Sequence, residues 1–283
     1  MKTVLLGLLT GLHLTYLHAA TPAEVGVIVD YSPPSASIFL QHNNAVNRVP
    51  AQIATEVSAG DRIDLPGNTT VTIELSDNRR IVSSGPGSWT VPAAPSMGLI
   101  ATIFHRFEFS LDPSDVRTMT AITRSSQGCP PNQTIAIPAL GTDARVGVGT
   151  RSIVLLWTGG CPPFEVEWRS ADSKLARHGV KDNQVRLDHL ALHAGSYSIA
   201  IQGADGAKGN FEVRAVEPVP ALPPELLDDK SHLTVIAQSL WIADADNGNW
   251  RLEGIARLIP LADHGDRLAQ VELRNLLWDT VTR

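Results

Sequence analysis

The sequence predicts a mostly β, multidomain protein that closes in a small C-terminal helical bundle. Three observations carry this. Short runs rich in Val, Ile and Thr, parted by Gly, Pro, Asn and Asp, recur from Val25 to Glu217. A proline-dense stretch, "EPVPALPPELL", then interrupts the pattern. Beyond it, apolar residues return at helical spacing. The chain has 283 residues, of which 43% are hydrophobic and 18% charged. That balance is globular, and the length suits two or three domains. The formal net charge is −6, scattered and without a basic stripe, so no nucleic-acid partner is expected.

Residues 1–20, "MKTVLLGLLTGLHLTYLHAA", run from one lysine through an apolar stretch to small residues, the pattern of a secretory signal peptide cut after Ala19 or Ala20. The apolar part is shorter than the roughly 20 residues that span a bilayer, so a retained anchor is the lesser reading. No later segment is apolar enough to cross a membrane, and a periplasmic or secreted location follows as the expectation. Residues 21–95 then read as strands: "GVIVDY", "TTVTIELS", "RRIVSS" and "SWTVP". Val71, Ile73 and Leu75 alternate with Thr72 and Glu74, as on a strand with one face on a core, and Asp77 and Asn78 supply a hairpin turn. Gly85-Pro86-Gly87 leads into another strand-like run. A phosphate-binding loop needs a helix N-terminus there, so a tight turn is predicted instead.

The run Val57 to Val91, "VSAGDRIDLPGNTTVTIELSDNRRIVSSGPGSWTV", resembles the periplasmic FecR-type β-domain. Ala59-Gly60-Asp61-Arg62-Ile63 stand at its "GD-x-I" opening, and Asp77-Asn78-Arg79-Arg80 at its turn between strands; a Gly-containing turn and Trp89 follow. The resemblance covers roughly seventy residues and implies an extracytoplasmic sensing or binding module. The family's regulators add a membrane segment and a cytoplasmic anti-sigma part, neither of which is read here.

Residues 96–127 form a linker in which Leu99, Ile100, Ile103, Phe104 and Phe107 make a helical stripe. From 128 to 217 strands return as "TIAIPAL", "SIVLLW", "FEVEWRS", "QVRLDHL", "SYSIAIQG" and "NFEVRAV", the spacing of a β-sandwich. "LHAGSY", Leu192 to Tyr197, has the Leu-x-x-Gly-x-Tyr form of a tyrosine corner. The segment resembles immunoglobulin-like and fibronectin type III-like sandwiches, without the paired strand cysteines of antibody domains. Residues 218–283 are the proline-rich linker and helical tail. Ser231 is a candidate cap ahead of Leu233, Ile236, Ala237 and Leu240; a second helix carries Leu252, Ile255, Ala256 and Ile259 up to Pro260; "DRLAQVELRNLLW" makes a third. The tail resembles a fragment of a tetratricopeptide-type solenoid and is expected to offer a groove to a partner.

Cys129 and Cys161 are the two cysteines, in the similar settings "QGCPPN" and "GGCPPF". In an exported chain an even pair predicts a disulfide, placed at one end of two antiparallel neighbours. "DADNGNWRLE", from Asp244, lacks the EF-hand spacing of ligands, so an inter-helix turn with Asn249 capping the next helix is predicted. No Gly-x-Ser-x-Gly elbow, Ser-x-x-Lys or Cys/His/Asn arrangement occurs. His105, His178, His189 and His193 fall singly, Asp228 and Asp229 suit a helix N-terminus, and the sequons at Asn68 and Asn132 matter only in a eukaryotic route. No catalytic residue, metal ligand or cofactor site is assigned. Trp89 and Trp250, each beside a turn, are the candidate contact aromatics, although core packing is the stronger reading for both. The expected function is a non-enzymatic binding or scaffold protein of the bacterial cell envelope, partnered by another envelope protein. Two alternatives stay open: a FecR-like regulatory subunit acting through a separate membrane partner, and a carbohydrate-active envelope hydrolase whose carboxylates come from distant positions.

Overall fold

The computed structural model describes residues 23–43, 45–107, 134–170, 174–227 and 231–278. Eight strands come first: β1 (Glu24–Ser32), β2 (Ile38–Gln41), β3 (Val49–Ala51), β4 (Glu56–Ser58), β5 (Arg62–Leu65), β6 (Thr70–Leu75), β7 (Arg80–Ser84) and β8 (Gly87–Thr90). They form two sheets, ordered β4-β1-β6-β7 and β3-β2-β5-β8, around a core that includes Ile28, Leu40, Ile63, Val71, Ile73 and Leu75. The predicted hairpin is β6–β7, turning through Asn78 at φ 65°. Gly85-Pro86-Gly87 is a turn that carries the chain from one sheet to the other. A Cβ on Gly85 would stand 2.8 Å from the Leu65 carbonyl oxygen, so only glycine fits.

The buried Asp61 explains the "GD-x-I" opening. Its carboxylate accepts from the backbone N–H groups of Ser58 (2.8 Å) and Asn43 (2.9 Å) and pairs with His42 Nδ1 (3.1 Å). One acid thus fastens two loops, which is a structural use of the motif.

Helix α1 (Leu99–Phe107) turns Ala101, Ile103, Phe104 and Phe107 inward. A second set of seven strands follows: β9 (Ala144–Gly147), β10 (Gly149–Leu156), β11 (Phe164–Ser170), β12 (Lys174–Val180), β13 (Gln184–Leu192), β14 (Gly195–Gly203) and β15 (Lys208–Val216). The pair β10-β13 faces the sheet β12-β11-β14-β15-β9, in which β9 runs parallel to β15. This is an Ig-like sandwich. Trp168 on β11 is fully buried with its ring 6.3 Å from that of Tyr197. The Tyr197 hydroxyl donates to the His193 carbonyl at 2.9 Å and accepts from the His193 N–H at 2.8 Å, closing the predicted corner. Two residues on, where antibody domains carry a cysteine, stands the buried Ile199.

Several expectations are corrected here. "TIAIPAL" is not a strand: Ile135, Ile137 and Ala139 are buried in alternation, but the segment makes a single bridge, Ala136 to Thr158, and Pro138 withholds the donor a ladder needs. The first sandwich strand is instead the short β9. His178 lies within β12, paired with Val166, shortly before the turn into β13. In the tail, α2 (His232–Gly248), α3 (Arg251–Asp263) and α4 (Arg267–Trp278) follow a 3-10 turn at Pro224–Leu226. Ser231 caps α2 as predicted, its hydroxyl accepting from the Thr234 N–H at 3.1 Å. Pro260 does not stop α3, because its fixed φ is helical and the chain continues one turn to Asp263. Asn249 does not cap α3 with its side chain; its carbonyl accepts from the Arg145 N–H at 2.7 Å.

That contact is part of a larger one. The outer edge of β9 is closed by the tail: besides the Arg145 bond, the Gly147 N–H donates to Glu253 Oε2 on α3 at 2.9 Å. A Cβ on Gly147 would stand 3.0 Å from that same oxygen. Val27 and Val29 of β1, the buried face of α1, the sandwich interior and the apolar faces of α2, α3 and α4 belong to one continuous core. The tail therefore turns most of its apolar surface into the core of the molecule.

Candidate functional site

Where the tail meets the end of the two-stranded sheet, the surface is concave. The cleft has a volume of about 370 Å³ and is walled by Leu156 and Trp157 at the end of β10, Asp182 to Gln184 in the turn before β13, Arg186 on β13 and Trp278 at the end of α4. The Trp157 N–H donates to the Asn183 carbonyl at 3.0 Å, which fixes the turn against the end of β10. The Trp157 ring meets Phe164 edge-on, centroids 5.2 Å apart, and is only 1% exposed. Its indole N–H has no hydrogen-bond partner among the described residues, an uncommon state for a buried donor.

The electrostatics of the cleft are set by Arg186. Its guanidinium donates to Asp188 at 2.7 Å and to both oxygens of Asp263 at 2.7 Å each. These bonds hold both carboxyls below the usual range, so neither is a proton donor at neutral pH, and they raise Arg186 further above its ordinary value. Asp182 and Gln184 make no hydrogen bond through their side chains within the described residues. Around Arg186 one guanidinium thus meets two ionised carboxylates, which leaves the group net negative, while the rim keeps free polar groups. Two other concavities lie on the sandwich: one of about 450 Å³ lined by Ser196, Tyr197, Ser198, Asn210, Phe211 and Glu212 among others, and one of about 270 Å³ beside the Asp143–Arg214 pair.

Of the candidates read from sequence, Trp89 is half-buried on β8 against the first core. Trp250 is 3% exposed, with its indole donating to Asp246 Oδ2 at 3.1 Å, which removes it from any contact surface. The packing reading holds there because the turn folds inward onto the sandwich: Asp246 also takes Arg145 Nη1 at 2.7 Å. Cys161 is buried and its N–H donates to Asp205 at 3.2 Å. Cys129, Asn132, Asp228, Asp229 and the first twenty residues lie outside the described residues. His105, His178, His189 and His193 are exposed, and no group of three metal-ligating side chains occurs among the described residues. The cleft residues were not singled out in the sequence because Trp157 and Trp278 are distant in the chain and no local motif joins them.

No family model and no curated protein matches the chain. Among solved structures it is similar to CopC from Methylosinus trichosporium OB3b, at 18% identity over 32% of this chain and 100% of that one, TM-score 0.26. It is also similar to fibronectin(III)-like modules of Clostridium thermocellum CbhA, at 12% identity over 70% and 89%, TM-score 0.23. A third is Dpr2 Ig1-Ig2 in complex with DIP-Theta, at 9% identity over 65% and 86%, TM-score 0.23. Likeness of this size carries no argument about family, ligand or activity.

Proposed function

We propose that the chain is a non-enzymatic, extracytoplasmic binding protein of the bacterial cell envelope. Its first module would be of the FecR type, carried by Gly60-Asp61 and the Asp77–Arg80 turn, and its partner another envelope component. The observation that supports binding most directly is the preformed cleft at the junction of sandwich and tail, rimmed by polar groups without partners and holding its nearest acids in ion pairs. Rigid elements on both sides hold such a site in one geometry. The periplasmic location rests on the first twenty residues.

A Cys129–Cys161 disulfide belongs to the same proposal. Cys161 is buried and is not a free thiol. The bridge between Ala136 and Thr158 brings Ile135 beside Gly160, one residue before Cys161. Closing this loop stabilises by about 3 to 4 kcal/mol in the chain-entropy model.

Cell fractionation with non-reducing mass analysis, followed by binding to envelope extracts, tests the reading. The expected result is a periplasmic, oxidised chain that binds an envelope component saturably and leaves it chemically unchanged. A reduced, cytoplasmic chain, or a turnover product, overturns it.

A further inference from the structure

We propose that the cleft between the end of the two-stranded sheet and α4 binds a neutral saccharide ring. This deepens the binding-protein reading and rests on it.

Its volume of about 370 Å³ lies at the small end of ligand sites, the size for a sugar unit and too little for an extended peptide. Its lining is split between hydrocarbon, from Leu156 and the two indoles, and polar groups from Asp182, Asn183 and Gln184. A pyranose has the same division, with C–H patches on its faces and hydroxyls around its edge.

The unmade hydrogen bonds are of mixed kind. The Asp182 carboxylate is an acceptor only, while the Gln184 amide both donates and accepts. A hydroxyl donates and accepts, so one ring can satisfy both; a purely anionic or purely cationic ligand cannot.

Charge narrows the class further. The Arg186 guanidinium is engaged by three hydrogen bonds to Asp188 and Asp263, so it is not free to clamp a phosphate or carboxylate. Asp188 and Asp263 outnumber Arg186, and Asp182 adds a further negative charge at the rim, so the cleft repels anions. Half-buried Trp278 is the ring with surface to offer, and a sugar face lies against it.

The test is titration of the full chain with chitobiose, cellobiose and maltose, beside galacturonic acid and glucosamine, read by tryptophan fluorescence and calorimetry. The expected result is saturable binding of at least one neutral disaccharide, with a change in indole emission, and at least tenfold weaker binding of the acid. Asp182→Ala and Gln184→Ala alter exposed side chains without partners, so they retain the wild-type Tm and lose binding by tenfold or more. Trp278→Phe reduces the emission change. Absence of binding to all three neutral disaccharides, or binding indifferent to Asp182→Ala and Gln184→Ala, overturns the site; the binding-protein reading survives if envelope binding persists. Cleavage of a disaccharide that depends on Asp182 upholds the site and overturns the non-enzymatic reading.

Discussion

Glu272 on α4 has its carboxyl inside the protein, where burial pushes its pKa up to about 8; the Asn275 amide, donating at 3.3 Å, opposes this only weakly. In the unfolded chain the same group ionises near 4.5. Folding therefore takes up a proton between those values, and stability falls as the pH rises through that window, by about 1.4 kcal/mol per unit where the linkage is complete. Glu272→Gln keeps the shape without the charge. Urea unfolding is expected to give the variant a higher midpoint than wild type at pH 8 and an equal one at pH 4; parallel pH profiles would contradict the assignment. The sequence predicts the helix but does not single out Glu272, although Leu268, Glu272 and Leu276 are spaced by four along one stripe of it. Spacing does not tell that no cation among the described residues comes to meet the acid.

At the scale of elements, the tail matters most where it closes the β9 edge. An open strand edge leaves a row of unpaired N–H groups, and here Asn249 and Glu253 accept two of them. Glu253 is 1% exposed and also takes Arg151 Nε at 3.1 Å and Arg257 Nε at 2.9 Å. Removing it strands a half-buried guanidinium as well as an amide. Glu253→Ala is expected to destabilise by about 3 to 5 kcal/mol, and hydrogen exchange should speed up at Gly147 before it does on β14. Uniform acceleration would place the loss elsewhere. Elements whose signals are local were legible: the β6–β7 hairpin, the Tyr197 corner and the Ser231 cap each rest on residues within a few positions. β9 was not, because "ARVG" is too short to show a period and its second partner lies about a hundred residues later. "TIAIPAL" misled for the opposite reason, since its alternation is real while Pro138 and a single bridge keep it out of the sheet.

For the molecule as a whole, periodicity tells that a segment has an apolar face but not which segment covers it. β1 shows the consequence: Val25 and Ile28 point into the first sandwich, while Val27 and Val29 point into the core shared by α1, the Ig-like sandwich and the tail. Segments that read as separate modules are thus joined through one strand. Two polar straps reinforce the join. Arg267 pairs with Asp30 at 3.1 Å and lies over the Tyr31 ring, and His232 pairs with Glu74 at 3.2 Å through Nδ1 and with Asp266 through Nε2. The hydrogen bond that Glu74 accepts from the His232 ring, with the charges of Asp266 and Glu74, raises the His232 pKa against burial and the nearby Arg80. A raised histidine contributes its stability fully below the unfolded value of 6.5 and loses it as the pH rises through the folded one. The strap joining β6 to α2 and α4 is therefore tightest in mild acid. In a Glu272→Gln background, which removes the other slope, stability is expected to decline above pH 6.5, and His232→Gln should flatten that decline. Hydrogen exchange adds the decisive reading, because wild-type β6 and β7 should lose protection as the pH rises once intrinsic exchange is corrected for, whereas the His232 variant should show the same protection at both ends. An unchanged slope in the variant would assign the pH dependence to groups outside this seam.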